Sequence, residues 1–173
     1  MYKKIIIIGG SGSGKSTLAK RISTYTNYPV YHLDNLLLKS NWETKDKSEW
    51  EEISKQFLSK DCGIVDGNYS SALPNRIQWA DLIIFSDVST ITALYRVFRR
   101  YFRIKLGLES RHGHPQESRE RLRMTFVLWV YNWNRSHREK IFSMLKSVQN
   151  KKVIITRNPN QLDLTKLFKH DGY

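Results

Sequence analysis

Short aliphatic runs alternate along the chain with segments of helical periodicity. The runs are short and rich in β-branched residues, which favours strands covered on both faces over buried helices. Five strands are predicted in this way: Tyr2–Ile8, Pro29–Leu33, Gly63–Val65, Leu82–Phe85 and Val153–Thr156. Because helical segments separate them, the strands should lie parallel and be joined by right-handed crossovers. The pattern predicts the α/β class.

The longest predicted helix is marked by residues that recur at three- and four-residue steps. Its buried face is predicted to comprise Phe126, Val130, Trp133, His137, Ile141, Leu145 and Val148, with Trp129 on the same side. Other helices are predicted over Ser16–Tyr25, from Thr90 to about Arg103, over Leu162–Phe168, and from a Ser48 N-cap with Glu51 three residues later. No repeat or linker interrupts the pattern, so residues 1–173 are predicted to form a single domain.

Composition excludes several protein classes. The chain has 173 residues, of which 40% are hydrophobic and 26% charged, as in ordinary globular domains and unlike disordered or collagen-like chains. The lone Cys62 cannot pair within the chain, so nothing indicates an oxidising compartment. The longest aliphatic run, Ile5–Ile8, is far shorter than the ~20 apolar residues of a membrane span. We therefore expect a cytoplasmic protein with no membrane partner.

A glycine-rich segment after the first strand fits the motif G-x-x-x-x-G-K-[ST] without a mismatch. Glycines let consecutive backbone amides point at phosphate oxygens, and the following helix adds the positive end of its dipole. Lys15 is predicted to contact the β- and γ-phosphates and the Ser16 hydroxyl to ligate Mg²⁺. The predicted nucleotide-binding residues here are Gly9, Gly10, Ser11, Gly12, Ser13, Gly14, Lys15, Ser16 and Thr17.

Missing signatures narrow the class of nucleotide-binding protein. The chain lacks the N-K-x-D and D-x-x-G motifs of GTPases and the L-S-G-G-Q motif of ABC ATPases. AAA+ modules are usually larger and end an acidic strand in Asp-Glu, whereas the candidates here are Asp66-Gly67 and Asp87-Val88. Of these classes of nucleotide-binding protein, the sequence therefore favours a compact kinase, in which a basic lid closes over the reacting phosphates.

Six features of the chain occur in the order of one known family. The phosphate loop is followed by Leu33-Asp34, by Val65-Asp66-Gly67-Asn68-Tyr69, by Ala80–Phe85, and by an Arg-rich middle with a Trp-rich helix. Together they resemble the adenylate kinase-related P-loop kinases known as DNA topology modulation proteins. The resemblance implies a three-layer P-loop fold with strand order 2-3-1-4-5, an Arg-rich lid at about residues 104–122, and ATP with Mg²⁺ as cofactors.

The resemblance also implies roles for single residues. Asp66 matches the carboxylate that supports Mg²⁺ through water in adenylate kinases, and Asp34 matches an acidic residue that orients or deprotonates the acceptor hydroxyl in shikimate kinase-like enzymes. A local capping role for Asp34 stays open. Arg157 is a candidate for packing against the adenine ring. An adenylate kinase has an acceptor-binding arginine shortly after its Asp-Gly. This chain has Tyr69-Ser70 there instead, and Arg76 is a possible substitute for the missing arginine. For Asp87, local capping of the next helix is favoured.

Charge is the unusual feature of the composition. The chain carries 29 Lys and Arg against 16 Asp and Glu, a formal net charge of +13, and the excess is concentrated between Arg96 and Arg123. Arg96, Arg99, Arg100 and Arg103 share one helical stripe, and Arg119 and Arg123 lie four apart beyond Gly113 and Pro115. Lid arginines that meet the transferring phosphoryl group are the preferred interpretation, with Arg99, Arg103, Arg119 and Arg123 as candidates.

Two other interpretations of the basic stretch stay open. Phe98, Tyr101 and Phe102 interleave with the arginines as in a surface that stacks single-stranded nucleic acid, although aromatic residues at helical spacing more often face a core. A solvated basic face would need no partner. The predicted function is transfer of the γ-phosphate of ATP to a small-molecule acceptor; the alternative is a nucleotide-regulated DNA- or RNA-binding protein. The sequence does not identify the acceptor, which could be a xenobiotic alcohol, or the oligomeric state.

Overall fold

A computed structural model describes residues 2–37, 45–67, 73–108 and 124–168. Its centre is a five-stranded parallel sheet whose strands are β1 (Lys4–Gly9), β2 (Val30–His32), β3 (Gly63–Asp66), β4 (Leu82–Ser86) and β5 (Lys152–Thr156). The order across the sheet is β2-β3-β1-β4-β5. The predicted α/β class, the five strands and the strand order are therefore confirmed.

Seven α-helices connect and flank the strands among the described residues. They are α1 (Lys15–Thr26), α2 (Leu33–Leu37), α3 (Lys47–Leu58), α4 (Leu73–Trp79), α5 (Thr90–Lys105), α6 (Met124–Lys146) and α7 (Leu164–Phe168), with a 3₁₀ turn at Pro159–Gln161. None of these helices combines the length and the apolar character that a bilayer span requires.

The side chains of β1 alternate between the two faces of the sheet, as the pleat requires. Ile6 and Ile8 face a core cluster with Trp50 of α3 and Leu145 of α6. Ile5 and Ile7 face a second cluster built with α1 and α7. Because helices cover both faces, the four consecutive isoleucines are all buried, which explains why this strand shows no alternation with polar residues.

A third, smaller cluster joins α5 to α6. Ala93 and Val97 of α5 pack against Val130 of α6. The two helices therefore pack as a hairpin at the carboxyl end of β4, beside the phosphate loop, and the later part of α6 covers one face of the sheet. Most of the predicted lid, 104–122, connects these helices and falls outside the described residues.

Several local predictions were wrong. The β2 strand ends at His32, so Asp34 belongs to the first turn of α2. The N-cap of α3 is Asp46, whose side chain accepts a hydrogen bond from the Glu49 amide in a capping box, and Ser48 lies inside the helix. The predicted helix over Leu162–Phe168 begins only at Leu164. Trp129 is 43% exposed.

Candidate phosphate-binding site

The glycine-rich segment joins β1 directly to α1 at the carboxyl edge of the sheet. Gly12 has φ 75° and Gly14 has φ 90°, both in the left-handed region that favours glycine. Gly14 occupies the N-cap position of α1, which has no side-chain cap and no acidic residue in its first turn. The helix thus supplies no group of its own that would neutralise the positive end of its dipole at the loop, as suits a phosphate-binding site.

The hairpin of α5 and α6 packs against the outside of this loop. A Cβ atom added at Gly12 would lie 2.4 Å from the Ala93 carbonyl oxygen, and one added at Gly10 would lie 2.9 Å from the Trp133 ring. The Ser86 hydroxyl donates a hydrogen bond to the Ser13 carbonyl oxygen at 2.9 Å. Close packing from β4, α5 and α6 therefore determines the path of the loop.

The side chain of Lys15 reaches back to the start of the loop. Its ammonium group donates a hydrogen bond to the Gly10 carbonyl oxygen over 2.8 Å. Desolvation by burial lowers the pKa of Lys15, while the negative charges of Asp66 and Asp34 oppose that shift. Lys15 is half-buried, and the partial loss of water around its ammonium group is a cost that a bound polyanion would offset.

Asp66 lies at the end of β3, next to the loop. Its Oδ2 accepts a hydrogen bond from the Ser16 hydroxyl at 2.6 Å and lies 3.0 Å from the Nδ1 of His32. Burial alone would raise the pKa of Asp66, but the hydrogen bonds from His32 and Ser16 and the charge of Lys15 outweigh it and lower that pKa. The group is therefore a carboxylate, although its side chain is only 4% exposed.

The donor set fits Mg²⁺ bound together with phosphate oxygens. A hydroxyl and a carboxylate are the hard oxygen ligands that Mg²⁺ prefers, and the Oδ1 atom of Asp66 is buried and accepts no hydrogen bond from a described residue. No three His, Cys, Asp or Glu side chains gather into a chelating group within the described ranges. Ser16 and Asp66 would leave the other coordination positions to phosphate oxygens and water, as is usual for Mg²⁺ bound with a nucleotide.

The four arginines that the sequence placed on one stripe of α5 differ in exposure and in contacts. Arg96 is half-buried, and its Nη1 donates a hydrogen bond to the Ser13 carbonyl oxygen at 3.3 Å. Arg100 is also half-buried, and its charge helps lower the pKa of Lys15 after the main effect of burial. Arg103 is half-buried and Arg99 is exposed. Arg96 was not among the predicted catalytic residues. Of the four arginines on α5 it is the first in sequence, and its position in the part of the helix that packs on the loop could have indicated this contact.

The other predicted site residues either are exposed or lie outside the described residues. Asp34 is exposed in α2, and its charge raises the pKa of His32 less than the Asp66 hydrogen bond does. Thr17 and Arg157 are exposed, the latter just after β5. Arg119 and Arg123 lie outside the described residues. The roles of these residues remain predictions.

Asp87 does not cap α5, as the sequence suggested. It is buried after β4, where its two carboxylate oxygens accept hydrogen bonds from the Nε and Nη2 atoms of Arg138 at 2.7 and 2.8 Å. Ser89 caps the helix instead, accepting a hydrogen bond from the Thr92 amide. The capping interpretation failed because it considered only neighbours in sequence, and Arg138 approaches from α6.

Arg76 is also buried. Its Nη1 donates a hydrogen bond to the Gly67 carbonyl oxygen at 2.9 Å, and only 1% of the residue is exposed. Burial lowers the pKa of Arg76 to about 10, and the charge of Asp66 opposes the shift. This contact connects Arg76 to the turn after β3.

Comparison with known proteins supports the fold. The sequence matches no protein-family model and no protein of curated function. Among solved structures, a sugar kinase from Janibacter sp. HTCC2649 is similar with a TM-score of 0.53 and 13% identity, over 96% of this chain and 93% of that one. Deoxyadenosine kinase from M. mycoides, solved with bound dATP, is similar with a TM-score of 0.50 and 17% identity, over 94% and 93%.

Identities this low establish the fold alone. The chain has the P-loop α/β fold that these kinases share. The predicted kinship with DNA topology modulation proteins rests on sequence motifs and stays a prediction.

Proposed function

We propose that the chain is a phosphotransferase that moves the γ-phosphate of ATP, bound with Mg²⁺, to a small-molecule acceptor. The observation that carries the proposal is the arrangement around residues 9–16: the uncapped start of α1, the half-buried ammonium of Lys15, and the Ser16–Asp66 pair lie together. Each part suits a different portion of a magnesium-bound polyphosphate.

The chain's own residues would divide the work of transfer. Lys15 would exchange its hydrogen bond to Gly10 for the β- and γ-phosphate oxygens, and Arg96 and Arg100 would approach from α5 as further cations. Ser16 and Asp66 would hold the metal, directly and through water. Bound Mg²⁺ would neutralise negative charge between the two phosphates.

The acceptor side is proposed to depend on Asp34. The acceptor hydroxyl oxygen forms a bond to the γ-phosphorus as the bond from that phosphorus to the β–γ bridging oxygen breaks, and ADP leaves. Asp34 is placed on the same edge of the sheet as the loop, and we propose that it takes or orients the hydroxyl proton. The sugar and deoxynucleoside acceptors named for the two similar kinases are hydroxyl compounds, which supports this acceptor class without naming one.

Replacement of Lys15 tests the proposal. Lys15→Ala should weaken ATP binding by about tenfold to a hundredfold, the loss expected for a charged hydrogen bond. Lys20→Ala is the matched control, because Lys20 is exposed on the same helix. Titration calorimetry measures affinity, and thermal unfolding verifies that both variants fold. Equal affinity for the two variants would contradict the proposal.

The second candidate function is binding of nucleic acid by α5. Phe98 and Phe102 of this helix are exposed, as are Tyr95 and Arg99, so these aromatic residues do not face the core as residues at this spacing more often do. Helix α5 contains no acidic residue. Binding of single-stranded DNA should then weaken steeply with salt and be lost in a Phe98→Ala, Phe102→Ala double variant. Filter binding at several salt concentrations measures this; affinity unchanged in the double variant would exclude stacking on α5.

A further inference from the structure

The two oxygens of the Asp66 carboxylate have different surroundings. Oδ2 accepts the Ser16 hydroxyl and faces His32, whereas Oδ1 is buried with no hydrogen bond from any residue within the described segments. Because the group is ionised, Oδ2 has no proton to give, so the Nδ1–H group of His32 is the donor. Two donors therefore approach one oxygen from two different elements, β2 and α1.

The sheet itself places His32 beside Asp66. In the parallel pairing of β2 with β3, His32 is the residue opposite Asp66. Both side chains occur at the carboxyl ends of their strands, where ligands of open α/β sheets bind. The contact thus depends on backbone hydrogen bonds rather than on a loop, and the position of the imidazole is determined before any ligand arrives.

A carboxylate held by one hydrogen bond can turn about that bond, and a second donor prevents the rotation. With Ser16 and His32 both on Oδ2, the direction of Oδ1 is fixed, and Oδ1 is the oxygen whose unused hydrogen-bonding capacity a water molecule of a bound metal ion would satisfy. Ser16 can keep donating its proton to Oδ2 while its own oxygen ligates the metal. Partners of this kind in the outer shell of a metal site commonly set its affinity.

We propose that His32 is a positioning residue that orients Asp66 for the Mg²⁺ of the nucleotide. The inference rests on the proposed phosphotransferase function and adds a determinant of its metal requirement. An alternative is that His32 only supports the edge strand β2, which has three residues. The two accounts differ in what a His32 variant loses: metal affinity in the first, and thermal stability alone in the second.

Two substitutions separate these accounts. His32→Leu removes the donor and keeps an apolar side chain of similar size. His32→Asn keeps an N–H donor near the position of Nδ1, so it should rescue a positioning role. Because His32 is 34% exposed, neither change opens a closed cavity, and both variants should fold.

The experiment measures the affinity for ATP by calorimetry at Mg²⁺ concentrations from zero, with chelator, to saturation. In the wild-type protein, affinity should rise with Mg²⁺ and define a midpoint. In His32→Leu, the midpoint should move about 10- to 100-fold higher, as for other outer-shell partners, while affinity without Mg²⁺ stays at the wild-type value. His32→Asn should have a midpoint close to that of the wild type.

The outcomes distinguish the inference from the proposed function. An unmoved midpoint in a folded His32→Leu variant, beside a normal wild-type curve, overturns the inference alone. An equal shift in both variants also overturns it, because the donor would then be irrelevant. ATP affinity of the wild type that does not respond to Mg²⁺ overturns both.

Discussion

Asp66 and Asp87 are two buried carboxylates beside the central strand β1, one at the end of β3 and one just after β4. Asp87 has both oxygens occupied by one guanidinium, that of Arg138, which also stacks over Phe142 at 4.7 Å. Asp66 has a hydroxyl and an imidazole on one oxygen and an unoccupied second oxygen among the described contacts.

The difference between the two sites shows what marks a functional carboxylate. Asp87 is fully satisfied within the protein and joins α6 to the start of α5, where Asn134 also donates hydrogen bonds to Val88 and Thr90. Asp66 keeps capacity for a further partner beside Lys15. Burial and charge are similar, so the completeness of hydrogen bonding separates a structural role from a binding role.

The largest expected effect is on magnesium-dependent nucleotide binding. Asp66→Asn should abolish the gain in ATP affinity that Mg²⁺ provides, at least about tenfold, because the neutral amide attracts the metal shell poorly. Asp87→Asn, the chemically matched change, should leave that gain intact. Calorimetry with and without Mg²⁺ compares them; equal loss in both variants would remove the distinction.

A smaller effect is expected on the stability of the fold, and here Asp87→Asn should be the more damaging of the two substitutions. Asp87→Asn replaces a charged, bidentate pair and should lower the free energy of unfolding by about 1.5–3 kcal/mol. Asp66→Asn should cost less, because its Oδ1 atom has no hydrogen-bond partner among the described residues, so only one oxygen has interactions to lose. Urea unfolding without nucleotide measures both, with exposed Asp61→Asn as a control. A greater loss for Asp66→Asn would reverse the assignment of roles.

The sequence predicted most of the fold because the relevant signals are local. Aliphatic runs, a complete phosphate-loop motif and helical spacing determine the strands, the loop and α6, and the resemblance supplied the strand order. The sequence did not predict the hydrogen-bond partners of Asp87 or His32. Arg138 is 51 residues from Asp87 and His32 is 34 residues from Asp66, so only the packing of α6 and the register of β2 bring them together.

The smallest expected effect is the pH dependence of the Asp66–His32 pair. The Asp66 hydrogen bond raises the pKa of His32 above 6.5, and the pKa of Asp66 lies below 3.8. The His32 contribution is therefore complete below pH 6.5 and is lost as pH rises through the raised pKa. The Asp66 contribution is present above pH 3.8 and is lost as pH falls through the lowered pKa.

Together these signs define a window for measurement. The difference in melting temperature between wild type and His32→Leu should be greatest between about pH 4 and 6.5 and should shrink at higher pH. Melting curves in chelator exclude a contribution from bound metal. A difference that grows as pH rises through neutrality would show that the pair does not stabilise the fold in this way.

The central claim is that phosphoryl transfer takes place at the loop of residues 9–16. Its most direct test is ADP release from MgATP in the presence of sugars, nucleosides, nucleoside monophosphates and other alcohols, with Lys15→Ala as the background. The account predicts that one acceptor class stimulates ADP release in the wild type and in Asp87→Asn, and that Lys15→Ala and Asp66→Asn lose the stimulation. Binding of MgATP without stimulation by any acceptor above the Lys15→Ala background would contradict it.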